Sequence, residues 1–161
     1  MKRAAVLLLA LALAPPFALA QPPTGKRPAP VLPPAIPLEV GAVVESFEMV
    51  PDRTVIFEPT SDGKVRILSA TDKDRLAPMP RNPGQVAVSL TVAQEIGAVM
   101  EFNSGLDFSF AYTATASGAT IPTCPVRGAA VASDQWPQGY TSITVGNLKR
   151  VDNAACEHPA G

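Results

Sequence analysis

Gln85-Val86-Ala87-Val88-Ser89-Leu90-Thr91-Val92 decides the fold class. Val86, Val88, Leu90 and Val92 fall on one parity, and Gln85, Ala87, Ser89 and Thr91 on the other. An extended chain points successive side chains to opposite faces, so this period of two predicts a strand with one apolar face on a core. Leu106, Phe108, Phe110 and Tyr112 repeat the pattern against Asp107, Ser109, Ala111 and Thr113. Val65 and Ile67, continued by Ser69, alternate with Lys64, Arg66 and Leu68, and Ile143 and Val145 alternate with Ser142 and Thr144. Thr54-Val55-Ile56-Phe57 is a β-branched and aromatic run of the kind that favours strands.

Leu38 to Val50 changes phase. Leu38, Val40 and Val44 share one parity, while Phe47 and Met49 share the other. A slip of one residue turns every side chain over, so a bulge or bend is expected between Val44 and Phe47, with Gly41 a second bending point. Asp62-Gly63 marks a hairpin turn. Asn103-Ser104-Gly105 reads as a three-residue hairpin with a left-handed glycine, joining Ala98–Phe102 to Leu106–Tyr112. Asp72 to Gly84 is a charged, proline-punctuated crossover, and short strands are expected near Thr120–Ile121 and Val126–Val131. Val92 to Ala98 carries at most one helical turn, and no amphipathic stretch of helical period is present.

Seven or eight short strands with regular turns predict an all-β fold: an antiparallel β-sandwich, immunoglobulin-like in size, over residues 38–157. A small β-barrel is the alternative. Residues 158–161 are expected to form a flexible tail.

The flanks are of different character. Residues 1–20 carry Lys2 and Arg3, an apolar run from Ala4 to Ala14, and Ala18-Leu19-Ala20 before Gln21. This is the layout of a secretory signal peptide cleaved between Ala20 and Gln21. The run falls well short of the ~20 residues a spanning helix needs, so no membrane span is expected after cleavage. Residues 21–37 hold Pro22, Pro23, Pro28, Pro30, Pro33, Pro34 and Pro37 and read as a proline-rich linker, extended and without a core. Fully extended, it reaches about 50 Å at ~3.1 Å per residue. Two PxxP spacings make it a docking ligand or, as we read it, a spacer.

Export makes the localisation periplasmic or secreted and lets Cys124 and Cys156, the only two cysteines, form a disulfide. It closes a loop of roughly 30 residues, worth about 3–4 kcal/mol by chain entropy. Thirteen basic and fourteen acidic residues give a net charge of −1 without a basic cluster, so no nucleic-acid partner is expected.

Chemistry is thinly supplied. His158 is the only histidine and stands fourth from the end, so neither a metal site nor a serine–histidine–acid triad is expected, and no cofactor fingerprint occurs. Asp72-Lys73-Asp74 does not continue as a calcium loop. Glu45 with Glu48, or Glu101 with Asp107, are the acid pairs a glycosidase would need. The candidate contact surface is Asp134-Gln135-Trp136-Pro137-Gln138-Gly139-Tyr140, which sets Trp136 and Tyr140 among polar residues, flanked by Arg127 and Arg150. The competing reading folds Trp136 back as a plug over one end of the sandwich.

These observations imply an exported module, non-catalytic, that binds a protein or an envelope polymer. The alternatives are a carboxylate-type hydrolase acting on cell-wall glycan, and a structural subunit that associates by strand addition at Leu38–Val50 or Tyr140–Val151.

Overall fold

Phe110, Tyr112, Ala114 and Ala116 are buried at every second position of one strand, and Val86, Val88 and Leu90 of another. Each apolar face needs a partner, and the two meet as facing antiparallel sheets. The computed structural model describes residues 36–72, 82–93 and 95–156. The signal peptide, its cleavage point at Ala20 and Gln21, most of the proline tract, Lys73, Asp74, His158 and the tail lie outside the described residues.

Ten strands occur among the described residues: β1 (Val43–Val44), β2 (Ser46–Met49), β3 (Thr54–Pro59), β4 (Val65–Thr71), β5 (Val86–Ala93), β6 (Gly97–Ser104), β7 (Ser109–Ala116), β8 (Ala119–Ile121), β9 (Val131–Trp136) and β10 (Ile143–Val151). A six-stranded sheet has the order β1-β4-β3-β5-β6-β9, and a four-stranded sheet the order β2-β10-β7-β8. The fold is therefore a β-sandwich; each sheet keeps two edges, so it is not a closed barrel. Aromatic pairs join the layers. Phe47 meets Phe57 with centroids 5.4 Å apart, and Phe102 meets Tyr112 at 4.7 Å and Phe110 at 6.1 Å.

The phase change in the first strand is a change of sheet. Val43 and Val44 pair with β4, whereas Ser46 to Met49 pair with β10, and Glu45 alone separates them. Gly41 has φ +91°, which turns the chain. Val40 consequently stands exposed, although Leu38 and Val44, of the same parity, pack on the core.

Four local expectations are corrected. Asn103-Ser104-Gly105 is not a hairpin. Asn103 and Ser104 remain in the ladder with β5, Gly105 extends it through its N–H to Gln85 O at 2.8 Å, and the chain then crosses to the other sheet. Leu106 is a buried plug on that crossing, and the strand begins only at Ser109. Leu68 is the extra residue of a bulge opposite Ile56 and Phe57, so Ala70 rather than Ser69 packs on the core. The turn before Gly97 closes a β-hairpin, since Ala93 faces Gly97. Gly97 has φ +85°, and a Cβ there would stand 2.1 Å from Trp136 O, so only glycine fits. Val126 makes one isolated bridge to Phe110, and the strand expected there lies later, at β9.

Candidate functional site

Parity and edge position decide where the sequence-predicted contact residues fall. Asp134 and Trp136 share the inward parity of β9, an edge strand of the larger sheet, and both are buried, at 6% and 5% exposure. Trp136 Nε1 donates to Pro122 O at 2.8 Å, and its ring meets half-buried Tyr140 edge-on at 6.5 Å. Asp134 accepts the Cys124 N–H at 3.0 Å and the hydroxyl of Tyr112 from the opposite sheet. Burial first, and the Asp134 charge second, push the Tyr112 phenol far above its ordinary value of 10.0, so it stays a donor. Asp134, Trp136 and Tyr112 therefore knit the two sheets together along one side.

Arg127 and Arg150 go elsewhere, to the end of the sandwich where β3 turns into β4. The register sets Arg150 opposite Phe110 and so on the inner face of β10, beyond the last core layer. Its guanidinium lies over the Phe108 ring at 4.8 Å from the centroid. Two cavities adjoin here, and Phe108 and Arg150 line both. The first, of about 640 Å³, runs between the Pro59–Gly63 turn and Asn147–Arg150. The second, of about 530 Å³, is polar and holds Asp107, Arg127 and Asp152 with Arg150. Arg127, Lys149 and Arg150 are exposed and make no salt bridge among the described residues. Asp62 on the rim is bonded by Thr60 Oγ1 at 2.5 Å, which lowers its pKa below the ordinary 3.8, and it faces Lys64 at 3.5 Å.

The opposite end is closed by Arg53, which the sequence reading missed. It is 2% exposed. Nε and Nη2 bond the Asp72 carboxylate at 2.6 and 3.3 Å, while Nη1 donates to Ile36 O at 3.0 Å and Glu48 O at 3.2 Å. Those partners come from the incoming chain, from β2 and from the end of β4. The Arg53 hydrogen bond holds Asp72 below its ordinary 3.8. Nothing in an arginine before a β-branched run signals this burial. Phe108 was legible only as a core residue, because its place beyond the strand depends on where the chain crosses between sheets.

Neither acid pair named from the sequence lines one of these cavities together. Asp107 lines the polar cavity, whereas Glu101 belongs to β6 of the larger sheet. Glu45 lines a shallow, hydroxyl-rich hollow of about 270 Å³ with Thr113, Thr115 and Thr144, which Glu48 does not line. Among the described residues, no three His, Cys, Asp or Glu side chains are grouped to hold a metal ion.

Cys124 and Cys156 form the disulfide that their number and the export signal predict. No protein-family model matches the chain, and neither does any curated protein or solved structure.

Proposed function

We propose that the chain is an exported, non-catalytic β-sandwich module that binds a protein or an envelope polymer in the groove at Phe108 and Arg150. One observation carries the reading: two adjoining cavities share a ring with a guanidinium stacked on it, beside Arg127 and Lys149, which make no salt bridge among the described residues. Planar stacked arginines beside aromatic rings recognise polar and anionic groups by directed donors. The layout supports it as well. The incoming chain is clamped at Ile36 by Arg53, where β3 begins, and the groove lies where β3 ends, about 20 Å away at ~3.3 Å per residue. The disulfide, and the lack among the described residues of a helix long and apolar enough to cross a membrane, fit a periplasmic or secreted location.

Co-sedimentation with isolated peptidoglycan, alongside cross-linking in envelope extract, tests this. The wild-type chain is expected to be retained by one of the two, and Arg127→Ala with Arg150→Ala to lose retention at least tenfold. Equal retention of the double variant would refute the site.

A hydrolase is the second reading, favoured by one observation: Asp107 and Asp152 line the same cavity. Glycosidic cleavage needs two carboxyls about 5–10 Å apart. Release of reducing ends from cell-wall glycan, abolished by Asp107→Asn, is the result that would replace the binding reading with this one.

A further inference from the structure

We infer that the Cys124–Cys156 disulfide is a brace for the polar cavity, and that reducing it opens one wall of the groove while the sandwich stays folded. The inference rests on the groove being the binding site, and it names the regulation of that site.

The disulfide ties together the two segments that wall the cavity. One wall is Arg127-Gly128, three residues beyond Cys124; the other is Asp152-Asn153-Ala154, just before Cys156. The walls are anchored very unequally. The segment containing Cys124 is fixed without the disulfide: Trp136 Nε1 bonds Pro122 O, Thr123 Oγ1 bonds Tyr112 O at 2.9 Å, Asp134 accepts the Cys124 N–H, and Val126 pairs with Phe110 in both directions at 2.8 and 2.9 Å. The segment Asp152–Cys156 leaves the ladder after Val151, which faces Ser109. Its own hydrogen bond is local, Ala155 N–H to Asn153 Oδ1 at 3.0 Å, and most of its residues are exposed. The disulfide is what holds this wall against the other.

The bond is also reachable. Cys156 is exposed and Cys124 half-buried. A dithiol reductant attacks the Cys156 sulfur as its thiolate and expels Cys124 as a thiolate. Its second thiolate then releases Cys156. Two electrons pass to the protein, two cysteine thiols form after protonation, and the reductant leaves as its own disulfide. Local opening of a weakly bonded terminal segment costs far less than global unfolding. Arg127 keeps its place, while Asp152 and the outer side of the Arg150 cavity are freed.

Backbone 15N relaxation and amide hydrogen exchange on the full chain, oxidised and after dithiothreitol, test this. Order parameters of Asp152 to Cys156 are expected to fall from about 0.8 to below about 0.6 on reduction, while the amides of Cys124, Val126, β7 and β9 stay protected and Trp136 emission is unmoved. Unchanged order parameters at Asp152–Cys156 would overturn the inference. So would loss of protection throughout the sandwich, which would make the disulfide a global staple. A second variant, ending at Val151 and carrying Cys124→Ser, is expected to match the reduced protein in the protection of β7 and β9. Retention on peptidoglycan is read in parallel and is expected to fall at least threefold on reduction. A wild-type chain that is neither retained on peptidoglycan nor cross-linked in envelope extract, in either state, fails the binding reading, and the relaxation result still decides the brace.

Discussion

Two arginines mark the two ends of this sandwich, and they are used in opposite ways. Arg53 is buried with a carboxylate and two backbone carbonyls as acceptors, and it joins chain segments that no strand ladder connects. Arg150 is exposed, lies on Phe108, and makes no ion pair among the described residues. A buried guanidinium is tolerable only when its donors are satisfied, so the Arg53 end is structurally committed. An exposed one on a ring keeps its donors for something else. The same side chain closes one end and leaves the other chemically open.

Removing each arginine in turn should break the comparison or sharpen it. Arg53→Ala has the largest expected effect on stability, a loss of about 2–4 kcal/mol, because it leaves two carbonyls without their donor and a void where the side chain lay. Urea unfolding reads it, and a loss below 0.5 kcal/mol, as an order-of-magnitude bound, would show that water replaces the guanidinium. Tyr112→Phe is expected to cost about 1–2 kcal/mol, since it removes a donor from a buried carboxylate that keeps the Cys124 N–H. The Tyr112 phenol is raised in the folded state, so its stabilisation is full below the unfolded value of 10.0 and declines as pH rises beyond it. Wild-type stability should therefore fall above about pH 10, more steeply than that of the phenylalanine variant.

Asp72 works in the other direction. Its folded value is lowered, so its contribution is full above the unfolded 3.8 and is lost as pH falls below that through the folded value. Its side chain is 59% exposed, so solvent screens the pair, and Asp72→Asn is expected to cost under about 1 kcal/mol at neutral pH. The variant should also flatten the acid limb of the stability profile. Arg150→Ala should be smallest, about 0.5 kcal/mol or less in stability. Its effect belongs to binding instead. A large stability loss there would erase the distinction between the ends.

The two ends were not equally legible. Arg150 stands out in the sequence because, with Arg127, it flanks the Asp134–Tyr140 stretch, but its partner Phe108 reads as core because Leu106, Phe108, Phe110 and Tyr112 keep one parity. That parity holds, since Leu106 is buried and Phe108 packs partly on the core, but the strand itself begins only at Ser109. Before it the chain is crossing between sheets, and period-two reasoning cannot see a crossing that preserves the phase. Val44 to Phe47 shows the converse: the crossing there breaks the phase, so the bend was readable, although the exchange of sheets was not. Trp136 reads from the sequence either as an exposed contact or as a plug folded back on the sandwich. Its burial agrees with the second, and the pairing of β9 with β6 sets it and Asp134 inward.

The sequence by itself determined what depends on neighbours along the chain. Period two made strands, Asp62-Gly63 made a turn, and two cysteines beside an export signal predicted one disulfide, which the structure contains. Tertiary structure decided what depends on residues distant along the chain: the exchange of sheets at Glu45, the burial of Arg53 among carbonyls from three segments, and the meeting of Phe108 with Arg150. Local preferences repeat with the period of the backbone and can be read in order. Contacts between sheets are set by register and crossing, and a shift of one residue in either would send each of these side chains to the opposite face.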